Sequence, residues 1–465
     1  MSVPNDNLPS VLFVAFNYPP YANVGIYRTL RFTRYIGQFG WKPMVLTCAP
    51  DVRYGRLDEA LLDLIPDGIP IRHVPLVRRE EQIKASMRKW IPGSGNQAPG
   101  PASVDHRSPP SKRSPPAIPK KASLIRRKTT EVFFGVPDDK VSWKGPAVEA
   151  GLEMVRERKP RAVFASGPPF TTHLVAREIA RRANLPLILD FRDPWSRAPW
   201  GARHQSRVAQ RMVTRLESRC VHDATRVILN TQRMQQEFQN FYTDLPNDRF
   251  AFVSNGFDPE MLDLVGEISN AHDASAAQDQ SGDDASLHLL HPGSLYRNRD
   301  PRPLLDAIEI VRREGIRIIF EQLGPWDPHF QLPEYAERLG IRDQLRMSDP
   351  VPHREMLQRM AGSDAFLLLQ PGTDMQIPGK LFEMLLFRKP ILALADPGSV
   401  AELISSSKMG AIAPPNDTKG IATSLRQLHE FRPCDAAWKL AIEAYDGRKL
   451  SEQLGLILDH STGFR

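Results

Sequence analysis

Cysteine is scarce in this chain: Cys48, Cys220 and Cys434 are three in 465 residues, far apart and odd in number. That excludes a disulfide framework and a cysteine-ligated zinc site, and fits a reducing cytoplasm. Long apolar runs are absent too. No stretch reaches the roughly 18 residues that a membrane-spanning helix needs. Met1 to Ser10 is polar and lacks the charged-then-apolar pattern of a secretory leader, so the expected location is cytoplasmic, or peripheral on the inner face of the plasma membrane. The familiar phosphate and nucleophile motifs are missing as well. Asn17-Tyr-Pro-Pro-Tyr-Ala-Asn-Val-Gly25 follows the first apolar run where a nicotinamide or flavin binder has three glycines. No G-x-x-x-x-G-K-[ST], G-x-S-x-G or H-E-x-x-H occurs. Histidines stand singly; His173 and His222 fall in helical patterns and read as core or surface residues rather than ligands.

Charge is present but uneven. Residues 1–265 hold 39 basic and 26 acidic side chains, whereas the remainder holds 22 and 28. The basic half either meets something anionic or is a solvated surface. Residues 83–128 carry eleven Lys or Arg against the single Asp105, with Pro-Pro pairs, Gly and Ser. Such a segment cannot build a core and reads as a disordered insertion that could dock on anionic lipid. Without interleaved aromatics, nucleic acid is disfavoured as its partner.

Short continuous apolar runs alternate with helical periods. Val11–Phe16, Pro43–Thr47, Ala162–Ser166, Leu187–Asp190, Val227–Asn230 and Phe250–Ser254 read as strands buried on both faces. Helical patterns over Ile26–Phe39 and Thr171–Ala183 separate some of them. The rhythm returns from Leu287 onward, through helices at Pro303–Arg313, His353–Ala361 and Lys380–Phe387. The expected fold class is α/β, with two Rossmann-like doubly wound parallel-sheet lobes and a cleft between them. The expected divisions are a first lobe at 1–265, a linker at 266–286, a second lobe at 287–435, and C-terminal helices at 436–465 crossing back to the first lobe.

Two segments carry chemistry. In Pro378-Gly-Lys-Leu-Phe-Glu383 a helix begins near Lys380, and its free amides and dipole can hold a phosphate. Glu383, one turn on, would repel phosphate and suits a ribose hydroxyl pair; the bland alternative is an exposed Lys–Glu pair at a helix start. His291-Pro-Gly-Ser-Leu-Tyr-Arg-Asn-Arg299 follows the first strand of the second lobe. Gly293 allows close backbone approach, and of Arg297 and Arg299 the second is the preferred phosphate ligand. In the first lobe, Asp190, Arg192 and Asp193 sit at the carboxyl end of a strand and face the same cleft. Asp193 either orients or deprotonates a substrate hydroxyl, or caps the following turn.

Taken in order, Tyr18-Pro-Pro-Tyr-Ala-Asn-Val-Gly-Ile-Tyr-Arg28, Ala165-Ser-Gly-Pro-Pro-Phe170, Leu189-Asp-Phe-Arg-Asp-Pro-Trp195, Val253-Ser-Asn-Gly-Phe-Asp258, His291-Pro-Gly-Ser-Leu-Tyr296 and Pro378-Gly-Lys-Leu-Phe-Glu383 resemble retaining glycosyltransferase family 4, of GT-B architecture. Asp190-Phe-Arg-Asp-Pro-Trp195 and Pro137-Asp-Asp-Lys-Val-Ser-Trp143 resemble the bacterial surface-polysaccharide branch. The resemblance implies a nucleotide-sugar donor and a glycan or lipid-linked acceptor, with no metal or cofactor. It puts Gly293 beneath the diphosphate, makes Arg299 and Lys380 the cations on the leaving group, and gives Glu383 the ribose. Gly25 would close on the donor from the other lobe. In such a scheme the first lobe binds the acceptor, with Asp190, Arg192 and Asp193 on that side, and the second binds the nucleotide sugar; Asp193, Arg299 and Lys380 are the catalytic candidates. One departure stands out: a sugar-binding glutamate common in the family falls at Met375, so either Asp374 or Gln376 meets the sugar or the sugar is held differently. A nucleotide-sugar epimerase of the same architecture and a non-enzymatic membrane or nucleic-acid binder are the competing readings.

Overall fold

The computed structural model describes residues 8–23, 25–76, 136–198, 207–276, 286–296 and 298–464. The basic 83–128 segment and Arg297 lie outside them. In the first lobe, β1 (Ser10–Ala15), β2 (Lys42–Cys48), β3 (Ile71–Val74), β4 (Ala162–Gly167), β5 (Leu187–Phe191), β6 (Arg226–Leu229) and β7 (Phe250–Phe252) form one parallel sheet in the order β3-β2-β1-β4-β5-β6-β7. Helices α1 (Ile26–Tyr35), α2 (Lys144–Arg158), α3 (Thr171–Ala183), α4 (Arg207–Asp223) and α5 (Gln232–Phe241) cover it. Because helices lie on both faces, β1, β4 and β5 are buried along nearly their whole length, which is why they read as unbroken apolar runs.

The second lobe opens with α6 (Pro259–Ala276) and alternates β8 (Leu287–Pro292), α7 (Arg302–Arg313), β9 (Ile318–Leu323), α8 (Leu332–Arg338), β10 (Leu345–Ser348), α9 (His353–Gly362), β11 (Ala365–Gln370), α10 (Gly379–Leu386), β12 (Ile391–Ala395), α11 (Ser399–Ser407), β13 (Gly410–Ala413) and α12 (Thr418–Glu430). Its parallel sheet runs β10-β9-β8-β11-β12-β13. The expected pair of doubly wound sheets is therefore present. In each sheet the winding reverses once, between β1 and β4 and between β8 and β11, and the loops beyond those strand ends splay apart to leave a crevice. The strands that the sequence pattern did not yield, β3, β10 and β13, are sheet edges of four residues, where polar side chains such as Arg72 and Arg346 are tolerated.

Two expected boundaries move. Residues 266–276 are not linker but the continuation of α6, because Val265 and Ile268 pack with Leu357 and Met360 of α9 in the core of the second lobe. Of the polar residues that suggested a linker, Glu267, Asn270 and Asp273 are on the outer face of that helix, and 277–285 lie outside the described residues. Helix α13 (Asp435–Ala444) also stays on the second lobe, with Trp438 Nε1 donating to the Leu385 carbonyl at 2.7 Å. The return crossing is thus at Tyr445–Gly447 rather than at 436. Helix α14 (Gly447–Thr462) then buries Leu450, Leu454 and Leu458 with Leu30 and Ile36 of the first lobe. Trp41 Nε1 donates to Asp459 there at 2.9 Å. Among the described residues, no helix is long and apolar enough to cross a membrane.

Candidate active site

At the switch point of the second sheet, β8 delivers His291 and Pro292 to the crevice edge, and the chain turns at Gly293. A Cβ on Gly293 would stand 3.0 Å from the His291 ring and 3.7 Å from Lys380 Nζ. A bare backbone is therefore what fits between these groups. Beneath it, Gln322 donates to the carbonyls of Gly293 and Gly324 at 2.6 and 3.1 Å, while His291 Nδ1 donates to Gln322 Oε1 at 2.7 Å. Gly324, at φ +125°, closes this network in a conformation open to glycine. Burial pushes the His291 imidazole down to about 3, with Lys380 and Arg299 adding repulsion, so it stays neutral.

Helix α10 starts at the same edge. Its N-cap Pro378 has extended backbone and no side chain caps the first turn. Lys380 reaches back from that turn to donate to the Pro292 carbonyl. Desolvation pulls its pKa below the ordinary lysine value; Glu383 opposes this, and Arg299 adds to it. The Arg299 guanidinium donates to Gln370 Oε1, at the end of β11, at 2.9 Å and lies 4.8 Å from the Tyr296 ring centroid. Burial lowers its pKa as well. Gly293, Arg299, Lys380 and Glu383 are thereby brought to one corner of the crevice. Glu383 faces His353, the first residue of α9, with Nε2 at 3.7 Å from Oε1. The contact with Glu383 raises the His353 pKa.

The first lobe supplies the opposite wall. Gly25 begins α1, and a Cβ there would meet Arg192 Nη1 at 3.0 Å. Arg192, expected on the acceptor side, spends its guanidinium on the carbonyls of Gly25, Pro168 and Gly167, stapling three loops. Asp190, also expected to face the cleft, is fully buried. It accepts from Arg28 Nε and Nη2 at 2.9 and 2.7 Å and from Ser166 Oγ at 2.6 Å. A carboxylate within β5 still lies between sheet and helix, whereas Asp193, past the strand end, reaches the crevice. Asp193 accepts a hydrogen bond from Gln376 Nε2 of the other lobe. Beside them Thr231 Oγ1 donates to the Met375 carbonyl at 2.7 Å, and the Met375 side chain is buried in the core of the first lobe. A residue committed to that core is not available to a sugar.

Sequence reasoning passed over Arg28, Gln370, His353 and Tyr27. Arg28 sits three residues into the apolar face of α1, a cation where a core residue belongs, which was its signal. His353 and Gln370 carry no local signal, since only the sheet order sets α9 and the end of β11 beside α10. Tyr27, half exposed at the start of α1, has its pKa raised by burial first and then by the charge of Glu383 across the crevice. Of the lone histidines, His173 is a core residue donating to the Asp190 carbonyl at 3.1 Å, and burial lowers it to about 4. His222 pairs with Asp244 at the surface. Among the described residues, no group of three or more His, Cys, Asp or Glu is placed to hold a metal.

Residues 27–256 match the family model of the glycosyl transferase 4-like domain, and residues 286–430 match that of glycosyl transferases group 1. The Salmonella typhimurium protein WcaL, named as a colanic acid biosynthesis glycosyltransferase, is 24% identical over 147 residues. That match takes in 30% of this chain and spans 36% of the length of the relative. Among solved structures, Anabaena HepE in complex with UDP is 15% identical with a TM-score of 0.59, covering 97% of this chain and 100% of that one. The same protein in complex with UDP-glucose gives 14% and 0.58, with the same coverage. Sucrose-phosphate synthase from Thermosynechococcus elongatus is 14% identical at a TM-score of 0.59, covering 99% of this chain and 100% of that one. At such identities the structural likeness establishes a shared fold.

Proposed function

We propose that this chain, which belongs to the family 4-like glycosyltransferases of GT-B architecture, moves a sugar from a nucleotide-diphosphate sugar to an acceptor hydroxyl. The observation that carries this reading is the convergence of Gly293, Arg299, Lys380 and the uncapped first turn of α10. A diphosphate at this corner would meet amides, a helix dipole and two cations, which is what its departure requires. In this reading Lys380 and Arg299 bind the diphosphate and take up the charge that develops on it. Glu383 accepts from the ribose hydroxyls. Gly25 approaches the donor from the other lobe, and Gln376 lies at the sugar end.

Glycosyl transfer shares the oxocarbenium-like transition state of glycoside hydrolysis. A nucleoside diphosphate leaves without a strong general acid, so cations and amides can supply most of the stabilisation, with no metal in the scheme. The acceptor hydroxyl attacks from the face the diphosphate leaves, retaining the anomeric configuration, with Asp193 orienting it. A glycan or lipid-linked acceptor of surface-polysaccharide assembly is supported by the family resemblance and by the name of the WcaL relative. Both matched family models describe glycosyltransferases, which supports transfer over epimerisation.

Because similar structures hold UDP and UDP-glucose, these two are the first probes. Calorimetric titration should show binding to the wild type. Lys380→Ala should weaken it by about tenfold or more, as expected for a lost charge-assisted contact. Unchanged affinity in Lys380→Ala and in Glu383→Ala would remove the site assignment.

A further inference from the structure

Helix α4 carries a charge pattern that the cleft does not use. Arg207, Arg211, Arg215 and Arg219 recur at every fourth position, forming one stripe on its surface, and all four are exposed. Among the described residues none of them pairs with an acidic side chain. On neighbouring α3 the pattern is the opposite: Arg177, Arg181 and Arg182 are paired with Asp223, Glu178 and Glu149. Between the α4 arginines, Val208 and Met212 point outward, 57% and 39% exposed. Met212 also borders a shallow apolar groove shared with Leu216, Leu174, Val141 and Pro146, where Lys144 adds another cation.

Unpaired cations alone would fit any polyanion, but the apolar residues set among them discriminate. Nucleic acid recruits aromatic side chains for stacking, and among its described residues α4 carries none. An anionic bilayer satisfies both kinds of residue at once, phosphates against the arginines and the acyl boundary against the apolar side chains. Placement agrees. Helix α4 runs back from the carboxyl end of β5 to the amino end of β6, so Arg207 lies at the same edge of the sheet as Asp193. We infer that the outward face of α4 docks the protein on an anionic lipid bilayer, with its arginines at the headgroups and Val208 and Met212 in the acyl boundary. The inference rests on the transferase reading only for its use, which is to hold the acceptor side of the cleft at the membrane; the docking itself needs neither donor nor acceptor.

The test is sedimentation of the full chain with vesicles of phosphatidylcholine, alone or mixed with phosphatidylglycerol. Wild type should bind the mixed vesicles, release at high salt, and leave phosphatidylcholine unbound. Each basic residue at such a surface strengthens partitioning about fivefold, so Arg211→Glu with Arg215→Glu should lower it by roughly thirtyfold or more. Met212→Ser should lower it severalfold with the salt response intact. A second full-length variant, with the Lys and Arg of 83–128 changed to Gln, should keep α4-dependent binding. UDP-induced thermal stabilisation serves as the control: retained in the α4 variants, it shows that they are folded. If it is absent from the wild type as well, the donor reading fails while the docking result stands. The inference is overturned if wild type ignores anionic vesicles, if the double variant binds them equally well, or if only the 83–128 variant loses binding.

Discussion

Lys380 and Glu383 sit three residues apart, yet their surroundings give them different chemistry. Lys380 is partly desolvated beside Arg299, whereas Glu383 faces His353. A ribose role for Glu383 predicts that UDP binds about tenfold more tightly than its 2′-deoxy analogue, and that Glu383→Ala levels the two, as titration of both nucleotides would reveal. His353 adds a pH dependence. Its folded pKa is raised above 6.5 by Glu383, so its stabilising contribution is fully present below that value and fades as pH climbs through the raised one. The unfolding free energy of wild type relative to His353→Gln, from chemical denaturation, should therefore be greater near pH 6 than near pH 8, by about 1 kcal/mol at most for so exposed a pair. Deeper inside, Arg28→Met strands Asp190 without its two-pronged partner. Chemical denaturation should show a loss of about 3–5 kcal/mol, far more than an exposed ion pair would lose.

Helix α14 shows how an element can belong to one lobe while following the other in sequence. Leu450, Leu454 and Leu458 recur at every fourth position and are all but fully buried in the first lobe, so the helix serves as a missing layer of that core. Leu454→Ala should open a cavity costing about 3 kcal/mol, read from the denaturation midpoint of the first lobe. Its periodicity was legible in the sequence; the point at which the chain crosses back, after α13 rather than before it, was not. Helix α6 teaches the converse, since a polar outer face hid a helix whose buried stripe is only Val265, Ile268 and their neighbours. Three of the four edge strands, β3, β10 and β13, were missed for the same reason, because half-solvated segments carry weak patterns.

Across the whole molecule, the loop after β11 is held by the other lobe. Met375 is buried there, Thr231 and Asp193 hydrogen-bond to Met375 and Gln376, and Arg233 pairs with Glu402 at 2.6 Å. Removing the two hydrogen bonds with Thr231→Val and Gln376→Ala, each worth about 1 kcal/mol, should speed amide exchange over residues 371–378 by tenfold or more. Exchange in β11 should not change. This latch joins positions more than a hundred residues apart, and no spacing within either segment announces it.

The doubly wound lobes and the helix start at Lys380 were determined by the sequence itself, because strands buried on both faces and a helix entered through Pro-Gly are local consequences of composition and backbone chemistry. Tertiary structure alone decided which charged groups face the cleft. Asp190 and Asp193 are three residues apart and carry the same side chain. One lies within β5, where burial demands the pairing that Arg28 provides; the other lies beyond the strand end, where the crevice opens. Met375 was likewise claimed by the first lobe through packing from a distant part of the chain. Burial depends on what other segments bring to a position, and a residue's own neighbours in sequence do not carry that information.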